Sequence, residues 1–149
     1  MLMATHQPGR NLCAALALSA GLYAMPATAE DMIIVRASPK PMDATFEAIR
    51  TYAEQKKWLN LGVNKVNQGR VTLVKLCMPE VGRQIFAADL KLSALLPCGN
   101  IGVYEQEGKT QVSVLDPRYM AALDAHPVLR TVAPEARKLL DEMLDAVMK

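Results

Sequence analysis

Two strand-like stretches, Leu61-Gly62-Val63-Asn64-Lys65-Val66 and Val71-Thr72-Leu73-Val74-Lys75-Leu76, flank the turn residues Asn67-Gln68-Gly69-Arg70. Alternating or β-branched apolar runs on both sides of a glycine-bearing turn predict a β-hairpin. A lone hairpin is barely stable, so something must cover its apolar face. The arrangement recurs downstream: Ile101 to Glu105 and Thr110 to Leu115 flank Gln106-Glu107-Gly108-Lys109, with Gly108 placed for a positive φ. A helical pattern precedes each hairpin. Before the first, Met42, Phe46, Ile49 and Ala53 share one helix face, with acids early and Lys56 and Lys57 late, as the helix dipole favours. Before the second, Pro79 suits a first helical position, and Val81, Ile85, Phe86 and Ala88 supply the predicted buried face ahead of a less regular stretch from Leu90 to Leu96.

The β-branched run Met32-Ile33-Ile34-Val35-Arg36, ended by Ser38-Pro39-Lys40-Pro41, predicts a strand before the first helix. After the second hairpin, Asp116-Pro117 opens a short helix carrying Tyr119 and Met120, with Asp116 as its expected cap. A long terminal helix presents Leu129, Val132, Ala136, Leu139, Leu140, Met143 and Val147 at helical spacing. Pro134 fits there if Thr131 caps the helix and Pro134 falls in its first turn. Leu140 and Leu144 form an additional apolar side that a second copy could use. The order is β-α-β-β-α-β-β-α-α. Such an order predicts an α+β fold, a two-layer α/β sandwich whose mainly antiparallel sheet carries helices on one face.

Residues 1–29 stand apart. A basic start ending at Arg10, an apolar run from Leu12 to Leu22, and Ala27-Thr28-Ala29 before Glu30-Asp31 form a three-part secretory signal, with cleavage expected after Ala29. The run is shorter than the roughly 20 residues that span a bilayer and is broken by Gly21 and Pro26. Cys13 lacks the small residues that a lipoprotein cleavage site needs before it and leaves with the signal. Residues 30–149 are then expected as a single periplasmic or secreted domain, detached from the membrane. Loss of Arg10 lowers the formal net charge of +2 by one. So even a balance suggests neither nucleic acid nor an acidic membrane as partner. A chain of this size buries about two thirds of its unfolded surface and needs no metal or disulfide framework to fold. Cys77 and Cys98 remain, in a compartment that permits disulfides.

The residues Leu76-Cys77-Met78-Pro79, then Leu95-Leu96-Pro97-Cys98, Val103-Tyr104-Glu105, Gly108-Lys109-Thr110, Val112-Ser113 and Asp116-Pro117 form an ordered set that resembles the domain-of-unknown-function 302 family across roughly residues 41–148. The resemblance implies a two-layer α/β fold, a homodimer and no established activity. The chain is similar to the compact secreted branch: the region between the first helix and Val71 lacks the lysine-rich segment of longer members. Met78 stands where the family often carries Asn, so a thioether replaces an amide.

Cys77 precedes Pro79 and so is placed at the N-terminal end of the second helix, where unpaired N–H groups and the dipole favour a thiolate over the free-thiol pKa of about 8.5. A packed, inert thiol fits the same position. Cys98, between Pro97 and Gly99, enters the next hairpin. If that strand lies antiparallel beside Val71 to Leu76, the two sulfurs are neighbours. Four outcomes stay open: a structural disulfide, a redox-active pair, a two-thiolate site for a soft metal or haem iron, or two separate packed thiols. The spacing excludes Cys-x-x-Cys. Met78 would add a soft ligand for copper, with Met120 and His126 as further candidates for metal or haem. His126 is the only histidine after the signal, so no zinc cluster and no Ser-His-Asp set can be built around it. No glycine-rich phosphate loop is present. These residues predict a small-ligand, metal or haem site including Cys77 and Cys98, without turnover. The alternatives are thiol–disulfide chemistry at the same pair and a partner-binding module with packed thiols.

Overall fold

The computed structural model describes residues 32–149; the expected signal lies outside the described residues. The chain runs β1 (Ile33–Ser38), α1 (Met42–Gln55), β2 (Leu59–Val66), β3 (Val71–Cys77) and α2 (Pro79–Ala88). A 3₁₀ segment (Leu90–Leu95) leads to β4 (Asn100–Gln106), β5 (Lys109–Leu115), α3 (Tyr119–Leu123) and α4 (Pro127–Val147). The five strands form one sheet in the order β1-β5-β4-β3-β2, with every neighbouring pair antiparallel. Helices cover one face, giving the two-layer α+β architecture that the element order predicts.

Both hairpins form where their turn residues fall. Asn67, Gln68 and Gly69 all take positive φ between β2 and β3. The β4–β5 turn is tighter than its four turn-like residues suggest, because Gln106 pairs with Lys109 and only Glu107 and Gly108 remain, both at positive φ. Two consecutive left-handed residues match the right-handed twist of the strands.

Val74 and Leu76 of β3, Ile101 and Val103 of β4, and Val112 and Val114 of β5 point to the helices and are buried. Ile49 and Ala53 of α1, Val81 and Ile85 of α2, and Leu129, Val132, Ala136, Met143 and Val147 of α4 close the core from above. The helix dipole accounts for only part of α1: its last turn holds no base, since the helix stops at Gln55 and Lys57 turns left-handed, at φ 57°. The Trp58 amide then donates to the Ala53 carbonyl at 2.8 Å, closing the helix end.

Three sequence expectations are corrected. Phe86 stands 45% exposed and Ala88 is exposed, because α2 buries only the narrow stripe Val81, Gly82 and Ile85 before the chain turns into the 3₁₀ segment. The terminal helix starts at Pro127, with His126 as its cap, rather than at Thr131. Pro134 therefore lies inside the helix, on its exposed side. Leu140 and Leu144 are buried within the chain, so they offer no surface to a second copy. Lys40, beside the start of α1, donates to the carbonyls of Val147 and Lys149 at 2.6 Å each and ties α1 to the C-terminal end of α4.

Candidate functional site

β3 ends at Cys77, β5 ends at Leu115, and the chain enters β4 after Cys98, all at one end of the sheet. Antiparallel pairing of β3 with β4 puts the end of one strand beside the start of the other. The two cysteines meet there and form a disulfide spanning a sequence separation of 21 residues. Both are half-buried. Of the four arrangements that spacing alone left open, the bond excludes two separate packed thiols, while a structural and a redox-active disulfide both contain it. Joined sulfurs are neither thiolates nor packed thiols, so ligation of a soft metal or haem iron by this pair first requires reduction.

An apolar pocket opens beside the bond. Its walls are Trp58, Leu76, Met78, Ile101, Val114 and Leu140, with Pro97, Gly99, Leu115, Pro117 and Tyr119 completing the rim. Neither cysteine lines it. Their chain neighbours do, Met78 after Cys77, and Pro97 and Gly99 on the two sides of Cys98. The disulfide thus braces two walls from outside. The cavity volume is about 50 Å³, where about 10–15 Å³ on this measure admits one water.

The polar tips in the lining are directed elsewhere. Trp58 Nε1 donates to Glu80 Oε1 at 3.1 Å, and the indole meets the Tyr52 ring edge-on at 5.8 Å between centroids. The Tyr119 hydroxyl donates to the carbonyls of Leu95 and Leu96, at 3.1 Å each. Burial raises the Tyr119 pKa, so the phenol stays protonated and holds the 3₁₀ segment against α3. The walls are therefore apolar, suited to a hydrocarbon or aromatic group rather than an ion.

The remaining candidate ligands are dispersed. Met78 is a wall of the pocket and is 6% exposed. Met120 is fully buried in the core. His126 caps α4, its Nδ1 accepting the Val128 amide at 3.2 Å. Neither Met120 nor His126 borders the pocket. Among the described residues no group of three or more His, Cys, Asp or Glu side chains is arranged to hold a metal ion.

Below Pro117 lies a feature that sequence reading assigned only a capping role. Asp116 is fully buried; Oδ1 accepts the Arg118 amide at 2.9 Å, and Oδ2 accepts Arg118 Nε at 2.8 Å and Arg137 Nη1 at 2.5 Å. Burial pushes the carboxyl pKa up, but the hydrogen bonds and charges of Arg118 and Arg137 outweigh it and hold it below its ordinary value. Arg137 also donates to Asp141 at 2.8 Å, so this cluster fastens α3 and α4 to the end of β5. Only the Asp-Pro pair was visible as a signal; the Arg137 partner comes from 21 residues away.

A five-stranded antiparallel sheet, helices on one face and a disulfide-braced apolar pocket at the sheet's end define a small two-layer α+β domain. The chain belongs to the family described as domain of unknown function DUF302, whose profile matches residues 34–147. The same fold occurs in the crystal structure of an uncharacterized conserved DUF302 protein from Bacillus stearothermophilus. That likeness has a TM-score of 0.70 at 19% identity, covering 78% of this chain and 98% of that one. No curated protein matches the chain.

Proposed function

We propose that the protein is a secreted or periplasmic binding domain that takes the apolar part of a small ligand in the pocket beside Cys77–Cys98. The observation that carries this reading is the pocket itself, whose walls include the chain neighbours of both cysteines and whose polar tips bond away from it. The disulfide supports the oxidising compartment that the signal sequence predicts. The site acts by binding: among the described residues no base or nucleophile borders it. A haem macrocycle is far larger than the cavity. At about 50 Å³ it holds a third of the ~150 Å³ that encloses a benzene, so it takes the apolar end of a ligand, such as a methyl or halogen substituent or a ring edge, with the rest outside. The homodimer that the family resemblance implies is retained as part of the proposal.

The test is a titration of the oxidised protein with toluene, followed by emission of Trp58, the only tryptophan of the chain. Saturable change is expected. Gly99→Leu should abolish it: a Cβ at Gly99 meets nothing within 4 Å, so the new side chain is accommodated and occupies the rim. An unsaturable response, or equal affinity in Gly99→Leu, contradicts the reading.

One observation favours a second reading, thiol–disulfide exchange. Cys77 directly precedes Met78, the residue before Pro79 at the start of α2, and the bond is only half-buried. After reduction a thiolate at Cys77 would face the positive end of that helix. Equilibration with a glutathione redox buffer distinguishes the two: a structural bond stays closed at ratios that open an exchanging one.

A further inference from the structure

The disulfide and the pocket lie on opposite sides of the sheet. Side chains alternate along a strand, and in β3 Thr72, Val74 and Leu76 are buried under the helices. Val71, Leu73, Lys75 and Cys77 therefore belong to the face that carries no helix. Leu76 before Cys77 and Met78 after it line the pocket, on the helix side. A reductant meets the half-buried sulfurs from the bare face and does not cross the cavity.

The surroundings of Cys77 favour opening of the bond. Lys75 lies on the same face two residues before it. Glu105, the only carboxylate in the five strands, pairs with the buried Thr110 on the helix side, so no strand carboxylate faces the sulfurs. Beyond Cys77 begins α2, ten residues long with no side-chain cap on its first turn. A nearby ammonium and an uncapped helix start both stabilise a thiolate at Cys77.

What the bond holds is a wall of the pocket. Tyr119 fixes the carbonyl of Leu96, and pairing with β3 starts at Asn100. Between them Pro97 and Gly99 line the cavity on either side of Cys98, and a Cβ at Gly99 meets nothing within 4 Å. The disulfide is the cross-link of this short stretch. Opening it frees both residues to leave the positions that shape the cavity, and a wall that must be ordered by its ligand binds more weakly than one already in place.

We infer that Cys77–Cys98 is a redox latch on the pocket: closed, it holds the binding form, and opened by a dithiol, it weakens binding and releases the ligand. This rests on the binding reading above. A thiolate of the dithiol attacks the Cys98 sulfur and displaces Cys77 as a thiolate. The second thiolate of the dithiol then attacks its own sulfur in the mixed disulfide and displaces Cys98. The cysteines gain two electrons and the two protons of the dithiol, which leaves as a disulfide. The coupling is reciprocal, so bound ligand makes the bond harder to open by the factor by which closure tightens binding.

The test compares toluene titrations, read by Trp58 emission, of the oxidised protein and of the protein held reduced in dithiothreitol. Reduction should raise the toluene dissociation constant about tenfold, a usual size for coupled sites. In dithiothreitol redox buffers, saturating toluene should raise the reduced-to-oxidised ratio that opens half the bonds by the same factor, with free thiols counted by maleimide gel shift. Cys77→Ser combined with Cys98→Ser should bind like the reduced protein in either buffer. Equal affinity in the two redox states overturns the latch and leaves the binding reading standing. A reduced protein that has lost its circular dichroism also overturns the latch, because the bond then holds the fold and not the pocket. No saturable binding by the oxidised protein overturns the binding reading, and the latch with it.

Discussion

Asp116 is the residue on which most of the local order depends, because a fully buried carboxylate is tolerable only with partners. Asp116→Asn is expected to cost about 3 kcal/mol in denaturant unfolding. The pH dependence follows from its lowered pKa. The folded form holds the charge below the ordinary value of 3.8, so its stabilisation is fully present above that pH and is lost as pH falls through the lower folded value. Asp116→Asn should flatten that acid limb of the stability profile; an unchanged limb would show that other carboxylates set it. At Lys57 the backbone is left-handed without glycine's freedom, and Lys57→Gly should raise stability by about 0.5–1 kcal/mol. Sequence identified Asp116 as a cap because Asp-Pro is a local signal. Arg137 was invisible as its partner, since an ion pair between the residue that follows β5 and α4 depends on how the helix is rotated.

The hairpins and α1 were legible, because turn residues and period-two or helical patterns act over a few residues, whereas the meeting of the cysteines was left open, since it depends on β4 pairing with β3. Pro134 shows the limit. Local preference places it in a first turn, but the buried stripe from Leu129 onward stabilises the helix from Pro127, and tertiary packing overrides the proline. Pro134→Ala restores a donor to the helix and should stabilise the protein by about 1–3 kcal/mol, read from chemical unfolding; a loss would mean that the proline's ring makes a needed contact. Phe86 was misplaced for a related reason, since α2 ends before its second stripe meets anything. At the sheet's end, the disulfide closes a loop whose chain-entropy contribution is about 3 kcal/mol. Cys77→Ser should lower stability by about that amount and loosen the pocket wall held by Pro97 and Gly99. A melting temperature unchanged by reduction would contradict this.

At the level of the whole molecule, the fold class followed from the order of elements, but the pocket did not. Trp58, Met78, Gly99, Val114, Tyr119 and Leu140 come from separate segments, and only the sheet register with the helix packing brings them together. The pocket is the central claim, and the most direct measurement is a crystal of the oxidised protein soaked with bromobenzene, with anomalous data collected at the bromine edge. A bromine peak between Trp58, Met78 and Gly99 is the predicted result; a well-ordered pocket with no peak there would contradict it.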